Sequence, residues 1–438
     1  MKSWFSSSVC ALTTLATLVA NVAAFSADGL VVYDPLVSDF SDNTTSTNIT
    51  PDIATLISTL RDDLDINLHF KAYTDESLDL FVAGEPLYEH LVLLPSSKKA
   101  MHKATFNQHS LMSFINGNGN VLAVGGRDAV LPDDVRSFLN EVGIYPSPKG
   151  YRLTDHFNEH LTEDSFVNER ILPKINNLSY DGAAALISNS ENLFPLVRAS
   201  ATSFTAEDPA SAPHISQDKT WTFGQQGYLA VSLQGLNNAR LSWVGSSSLI
   251  SPSLLSWTFQ KKNVLKLQFA THHKADEPEF PNTTLYRFKD EVTYTIGVSE
   301  LIDGNWAPYE VASAEDAIQL SFKMLDPYQR INLTPLGPAA STPDGALDSF
   351  VYSTTFTLPD QHGMFTFDLD YKRSGLTFLE DKKIVAVRHL ANDEYKRSWD
   401  IPNSWVYIAS STLVVAAWLL FVFNFISIGN VDTKKKNA

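Results

Sequence analysis

The sequence predicts an α/β N-terminal lumenal domain with a largely parallel sheet, then an antiparallel β-sandwich-like domain and one C-terminal transmembrane helix. Three observations carry this. Strand-like and helix-like pieces alternate over residues 29 to 150, as βαβ units require. From residue 285 short alternating strands follow one another between Asp, Gly and Pro turns, the spacing of a sandwich. Trp405 to Ile428 is almost continuously apolar and carries no charge; at ~1.5 Å per residue it spans ~36 Å, enough to cross a ~30 Å hydrocarbon core.

Taken in order, "GLVVYD" is a buried strand, and "DIATLISTLRD" (52 to 62) has Ile53, Leu56, Ile57 and Leu60 at helical spacing. "YEHLVLLPS" (88 to 96) and "GNVLAVGG" (119 to 126) are further strands, with a helix through Leu111, Phe114 and Ile115 between them. "DDVRSFLNEVG" (133 to 143) is a helix stopped by Gly143. Residues 228 to 247 give two more strands around a Leu236-Asn237-Asn238 turn, extending the same sheet. Residues 200 to 220 have linker composition, and 272 to 283 form a second boundary loop. Later, "EVTYTIGVSE", "AIQLSFKML", "SFVYSTTFTL", "MFTFDLDYK" and "KIVAVRHL" are the sandwich strands.

The ends set the topology. Lys2, the apolar stretch Val9 to Ala20 and the small residues Val22-Ala23-Ala24 form a cleavable signal peptide. The expected division is signal peptide 1–24, α/β domain 25–260, β-rich domain 261–404, span 405–428 and cytosolic tail 429–438. The only cysteine, Cys10, falls in the signal, which excludes disulfides and thiolate metal sites from the mature chain. Charge counts flanking the span nearly tie, so the signal peptide decides that the bulk of the chain is lumenal. Lys435 and Lys436 stand fourth and third from the C-terminus, resembling a dilysine retrieval address. Asn43, Asn48, Asn177, Asn282 and Asn332 head N-x-[ST] sequons. The net charge of −16 excludes a nucleic-acid binder, which needs a basic footprint.

Few motifs carry chemistry. His156-Phe157-Asn158-Glu159-His160 fits H-x-x-E-H, the inverted zinc-protease pattern. A helix there would put His156 and His160 on one face with Glu159 as general base, making a lumenal hydrolase the alternative function. The surrounding "LTDHFNEHLTED" is polar almost throughout, which favours a solvated loop. Gly125-Gly126 after a strand suggests a phosphate-binding turn, but it lacks both G-x-G-x-x-G and a P-loop lysine. His272-His273 point apart in an extended chain, and "GSSS" at 245 to 248 is no nucleophile elbow. No cofactor is expected. In the span, Thr412, Ala416, Leu420 and Asn424 recur every four residues and share a face, as a helix-packing seam would.

Four strings are more specific than any motif: "FLNEVGIYPSPKG" (138 to 150), "GLNNARLSWVGSS" (235 to 247), "LPDQHGMFTF" (358 to 367) and "RHLANDEYKRSWDIPNSWVY" (388 to 407). In order and before a single span, they resemble the 48-kDa-type, wheat-germ-agglutinin-binding family of oligosaccharyltransferase subunits. The segments at 38 to 80 and 200 to 220 are less family-like. The resemblance implies an accessory, non-catalytic subunit in the endoplasmic-reticulum membrane, contributing assembly and stability. Its implied partners are a multi-span catalytic subunit, a ribophorin-II-type subunit and a small defender-against-death-type subunit. It also leaves room for contact between the α/β domain and the dolichol-linked glycan donor. The catalytic subunit's W-W-D motif is absent from this sequence.

Overall fold

The computed structural model describes residues 27–38, 40, 50–97, 105–126, 131–207, 219–311, 313, 316–339, 348–395 and 403–428. The expected signal peptide 1–24, the sequons at Asn43 and Asn48 and the expected retrieval residues Lys435 and Lys436 lie outside the described residues.

The α/β domain is built on a nine-stranded sheet. Strands Asn67–Ala72, Asp28–Tyr33, His90–Leu93, Asn120–Val124 and Arg240–Val244 lie side by side in that order, all parallel. The central ones, 90–93, 120–124 and 240–244, are buried at every position. Strands covered on both faces need apolar runs rather than alternation, and "LVL" and "VLAV" supply them; Arg240–Val244 instead alternates, its buried Ser242 pairing with the Ser232 and Thr258 hydroxyls. Helix Pro51–Ser58, its continuation through Asp63 and helix Pro252–Thr258 cover one face through Leu56, Leu60, Leu254 and Trp257. Helices Gln108–Asn116 and Asp133–Val142 cover the other through Leu111, Phe114, Val135 and Phe138. A reciprocal capping box between Asn107 and Ser110 opens the third of these helices. Gly143, at φ 97°, closes the fourth in the left-handed conformation that glycine adopts freely.

The sheet is parallel only in part. Strand Tyr228–Gln234 joins Arg240–Val244 through a tight turn, so that pair is antiparallel. Ala185–Ile187, Ile144–Pro146 and Leu193–Arg198 extend it in the same sense. The physical reason is the turn's shortness: a parallel neighbour needs a crossover of a dozen residues or more. A small antiparallel sheet of Tyr151–Thr154, Phe204–Glu207 and Thr220–Phe223 stands apart from the main one.

The β-rich domain packs two five-stranded sheets. One holds Leu265–Lys274, Glu291–Ile302, Asn305–Pro308, Thr334–Pro338 and Phe350–Thr357; the other holds Leu285–Arg287, Gln319–Lys323, Pro327–Asn332, Gly363–Tyr371 and Leu379–Arg388. Pairing is antiparallel except where 285–287 runs parallel to 379–388. Val292, Tyr294, Ile296 and Val298 point into the core, the alternation expected of a sandwich strand. Tyr294 stacks on Phe367 at 5.6 Å, and Phe322 on Phe365 at 4.8 Å. His272 and His273 end a strand here rather than sitting in a boundary loop. Pairing with Tyr294 and Thr293 holds them extended, so His272 alone turns inward, buried against Phe367 at 4.7 Å.

Helix Ser404–Ile428 has a mean hydropathy of 2.2, and none of it is buried within the molecule.

Candidate functional site

Three surfaces bear on function: a polar cleft, the junction of the two domains, and the membrane helix.

The cleft has a volume of about 490 Å³ and is lined by Arg152, Asp155, Asn158, Glu159, His160 and Tyr180 among others. Asp155 organises it. Its carboxylate accepts hydrogen bonds from Ser200 Oγ, from Thr202 Oγ1 at 2.8 Å, from the Phe157 amide at 2.9 Å and from the Asn158 amide at 3.2 Å. Burial alone would push this carboxyl up. The bonds from Ser200, Phe157, Asn158 and Thr202 outweigh that and hold it well below the usual carboxylate range.

The zinc-hydrolase alternative fails here. Residues 155 to 160 form bends, not a helix. Asp155 captures the two following amides as an Asx turn. Leu161, buried, is then held by a bridge to Leu178. His156, Glu159 and His160 are all exposed. Without the helix the i, i+4 geometry is lost. Among the described residues no group of three His, Cys, Asp or Glu side chains could hold a metal ion.

The domain junction went unread in the sequence. Residues Ser374 to Phe378 of the β-rich domain insert against the α/β domain, and every one of them makes a hydrogen bond across. Arg170 Nη1 donates to Ser374 O at 3.1 Å, Trp257 Nε1 to Gly375 O at 2.9 Å and Gln234 Nε2 to Leu376 O at 2.8 Å. The Asn238 side chain pairs with both backbone groups of Phe378, at 2.8 and 3.2 Å. The Phe378 ring joins the α/β core.

Arg240 sits behind this insertion with no exposed surface. Its guanidinium donates to Trp257 O at 2.7 Å, Lys262 O at 2.9 Å, Asn263 O at 2.8 Å and Thr377 Oγ1 at 3.1 Å. It also lies over the Trp257 ring at 4.6 Å, a cation–π contact. Burial pulls its pKa down to about 9, which leaves it charged at neutral pH. Carbonyl dipoles thus carry the solvation that water would give. Asn237 completes the turn by donating to Ile115 O at 2.8 Å. The string "GLNNAR" is therefore the junction itself. Its signal was the density of Asn and Arg in a turn between two apolar strands.

Asn177 and Asn282 are exposed on loops, with φ of 57° and 58°. Asn332 is exposed at a strand end, and its Oδ1 accepts from Gln319 Nε2 at 2.9 Å. On the membrane helix, Thr412, Ala416, Leu420 and Asn424 are all exposed. The Thr412 hydroxyl donates back to Ile408 O at 3.0 Å and Ala409 O at 2.9 Å, so it needs no partner in lipid. Ala416 forms a notch flanked by Leu419, Leu420 and Phe423.

Fold and surfaces together define a two-domain head, tightly hydrogen-bonded at its junction, followed by a helix that, among the described residues, is the one long and apolar enough to cross a membrane. The chain belongs to the OST48 family. A family model described as "OST48, N-terminal domain" matches residues 23–280, and one described as "OST48 middle domain" matches residues 272–429. The chain is 36% identical over 392 residues to the dolichyl-diphosphooligosaccharide–protein glycosyltransferase subunit WBP1 of Saccharomyces cerevisiae, covering 85% of each chain. It is 30% identical over 390 residues to subunit wbp1 of Schizosaccharomyces pombe, covering 82% of this chain and 85% of that one. It is 27% identical over 417 residues to the 48 kDa subunit of the same enzyme in Caenorhabditis elegans, covering 85% and 87%.

Proposed function

We propose that this chain is an accessory, non-catalytic subunit of an oligosaccharyltransferase complex in the endoplasmic-reticulum membrane. The observation that carries this is the pairing of a hydrogen-bonded two-domain head with a membrane helix wholly unpartnered by its own chain. Such a molecule holds other subunits in place. Residues 25–260 and 261–404 are its lumenal domains, 405–428 its span and 429–438 its cytosolic tail, with Lys435 and Lys436 as retrieval signal. The partners are a multi-span catalytic subunit, a ribophorin-II-type subunit and a small defender-against-death-type subunit. The packing face is Thr412, Ala416, Leu420 and Asn424, since the Ala416 notch admits a neighbouring backbone.

Native affinity purification in a mild detergent tests this. A multi-span catalytic subunit should follow the tagged chain and be lost when that face is scrambled. A chain that purifies alone, in detergent that keeps such complexes intact, refutes it. Contact with the dolichol-linked glycan is assigned to the polar cleft, whose volume and mixed donors and acceptors suit a saccharide. Saturation-transfer NMR with an oligomannose glycan should give a signal that Glu159→Gln together with Arg152→Ala abolishes; an unchanged signal removes the assignment.

A further inference from the structure

A second, much smaller crevice opens at the carboxyl edge of the parallel strands. Gly125 follows strand 120–124, and Ser97 and Gly245 follow the strands on either side. This is the edge where open α/β sheets take ligands. It lies at the opposite ends of the strands from Arg240 and the domain junction.

The lining is one-sided in its chemistry. Arg136, Ser147, Lys149 and Trp243 contribute the polar side chains along with Tyr151, and no carboxylate lines the crevice among the described residues. Arg136 Nη2 is held by Pro146 O at 2.8 Å, and Lys149 Nζ by Ser97 O at 2.9 Å. Each cation is thereby positioned with further N–H groups to offer. Asp133 lies one turn back on the Arg136 helix and stays outside the lining. Asp34, which follows strand Asp28–Tyr33, is engaged by Ser96 Oγ at 3.0 Å, the Ser97 amide at 2.9 Å and Ser97 Oγ at 2.8 Å.

Two lining groups are buried without a partner. Trp243 is 1% exposed and Ser147 is 7% exposed, and neither Trp243 Nε1 nor Ser147 Oγ has a hydrogen-bond partner. Leaving a buried donor unpaired forfeits the hydration it had in water, so each such group calls for an occupant. The free volume is about 30 Å³. That is roughly one water's share of the liquid, so the enclosed part takes one oxygen of a small oxyanion, whose remainder sits in the open mouth, and a saccharide is excluded. The backbone is packed tightly behind it: a Cβ on Gly125 would sit 3.2 Å from Val244 O.

We propose that this crevice binds one phosphate-sized oxyanion, held by Arg136 and Lys149 with Ser147 Oγ and Trp243 Nε1 as neutral donors. The proposal is independent of the subunit reading above.

Equilibrium dialysis of the full-length chain in detergent against radiolabelled orthophosphate, at fixed ionic strength, tests it. Saturable binding near one ion per chain is expected. Lys149→Gln should weaken it by about tenfold, the scale of one charged hydrogen bond. Ser147→Ala should weaken it further, and Arg330→Gln in the β-rich domain should leave it unchanged. Lys149 is exposed, so its replacement does not threaten folding. Competition by glycerol phosphate separates two sources of the same chemistry. Equal competition assigns the site to a phosphate ester such as a lipid headgroup; competition by orthophosphate alone assigns it to the free ion. Absence of saturable binding, or equal binding by wild type and Lys149→Gln/Ser147→Ala, overturns the proposal and leaves water as the occupant.

Discussion

Arg240 is a buried cation whose compensation comes from three carbonyl oxygens and a hydroxyl. Replacing it with Leu strands those carbonyls in the interior. The expected loss is about 2–4 kcal/mol, read as a lower denaturation midpoint and as new protease cuts near residues 374 to 378. Arg240→Lys keeps the charge but loses the planar fork, and should fall between the two. If Arg240→Lys matches wild type, charge and not geometry holds the junction. Two histidines set a pH response. His90 is buried beside Asn120 Nδ2 at 3.3 Å, and His272 accepts or donates at Nδ1 with Tyr286 Oη at 2.6 Å. Burial, with Lys261 near one and Lys383 near the other, lowers both to about 4. The unfolded chain then takes up protons near 6.5 that the folded one refuses. Their contribution to stability is full above pH 6.5 and is lost as pH falls toward 4. Urea midpoints should decline across that window, and His272→Gln should flatten the decline. A profile unchanged by His272→Gln contradicts this.

At the scale of elements, two glycines mark where strands meet something too close for a side chain. A Cβ on Gly245 would lie 2.1 Å from Ala183 O, which is backbone; one on Gly297 would lie 2.3 Å from the Phe269 ring, which is a half-exposed side chain. Backbone cannot step aside, but a ring can rotate out. Gly245→Ala should therefore cost about 3 kcal/mol or more, and Gly297→Ala about 1 kcal/mol. Equal costs would mean that Phe269 is locked. Sequons divide in the same way by element. Asn177 lies on an exposed loop, whereas Asn332-Leu333-Thr334 has Leu333 buried and Thr334 Oγ1 bonded to Ser353 O at 2.6 Å. Glycopeptide mapping should find Asn177 more fully occupied than Asn332, and the reverse order would show that folded context does not govern use.

For the whole molecule, the sequence alone determined the run of strands and helices, because their apolar spacing is local. Leu111, Phe114 and Ile115 announced a helix, and "GNVLAVGG" announced a strand, which the fold covers on both faces. It determined the span, because 25 residues without a charge have no other comfortable solvent. It also carried the family, through strings such as "GLNNARLSWVGSS". Tertiary structure decided the rest. Asn238 meets Phe378 across 140 residues of chain, and carbonyls of Trp257, Lys262 and Asn263 enclose Arg240. The H-x-x-E-H stretch kept its spacing but lost its helix to the hydrogen bonds of Asp155 and the bridge at Leu161. Gly125-Gly126 matched no phosphate motif, yet the fold brought Arg136, Ser147, Lys149 and Trp243 to the same edge. Periodicity fixes which face of an element is apolar. Which polar groups meet depends on hydrogen-bond partners far apart in the chain, and no local pattern records them.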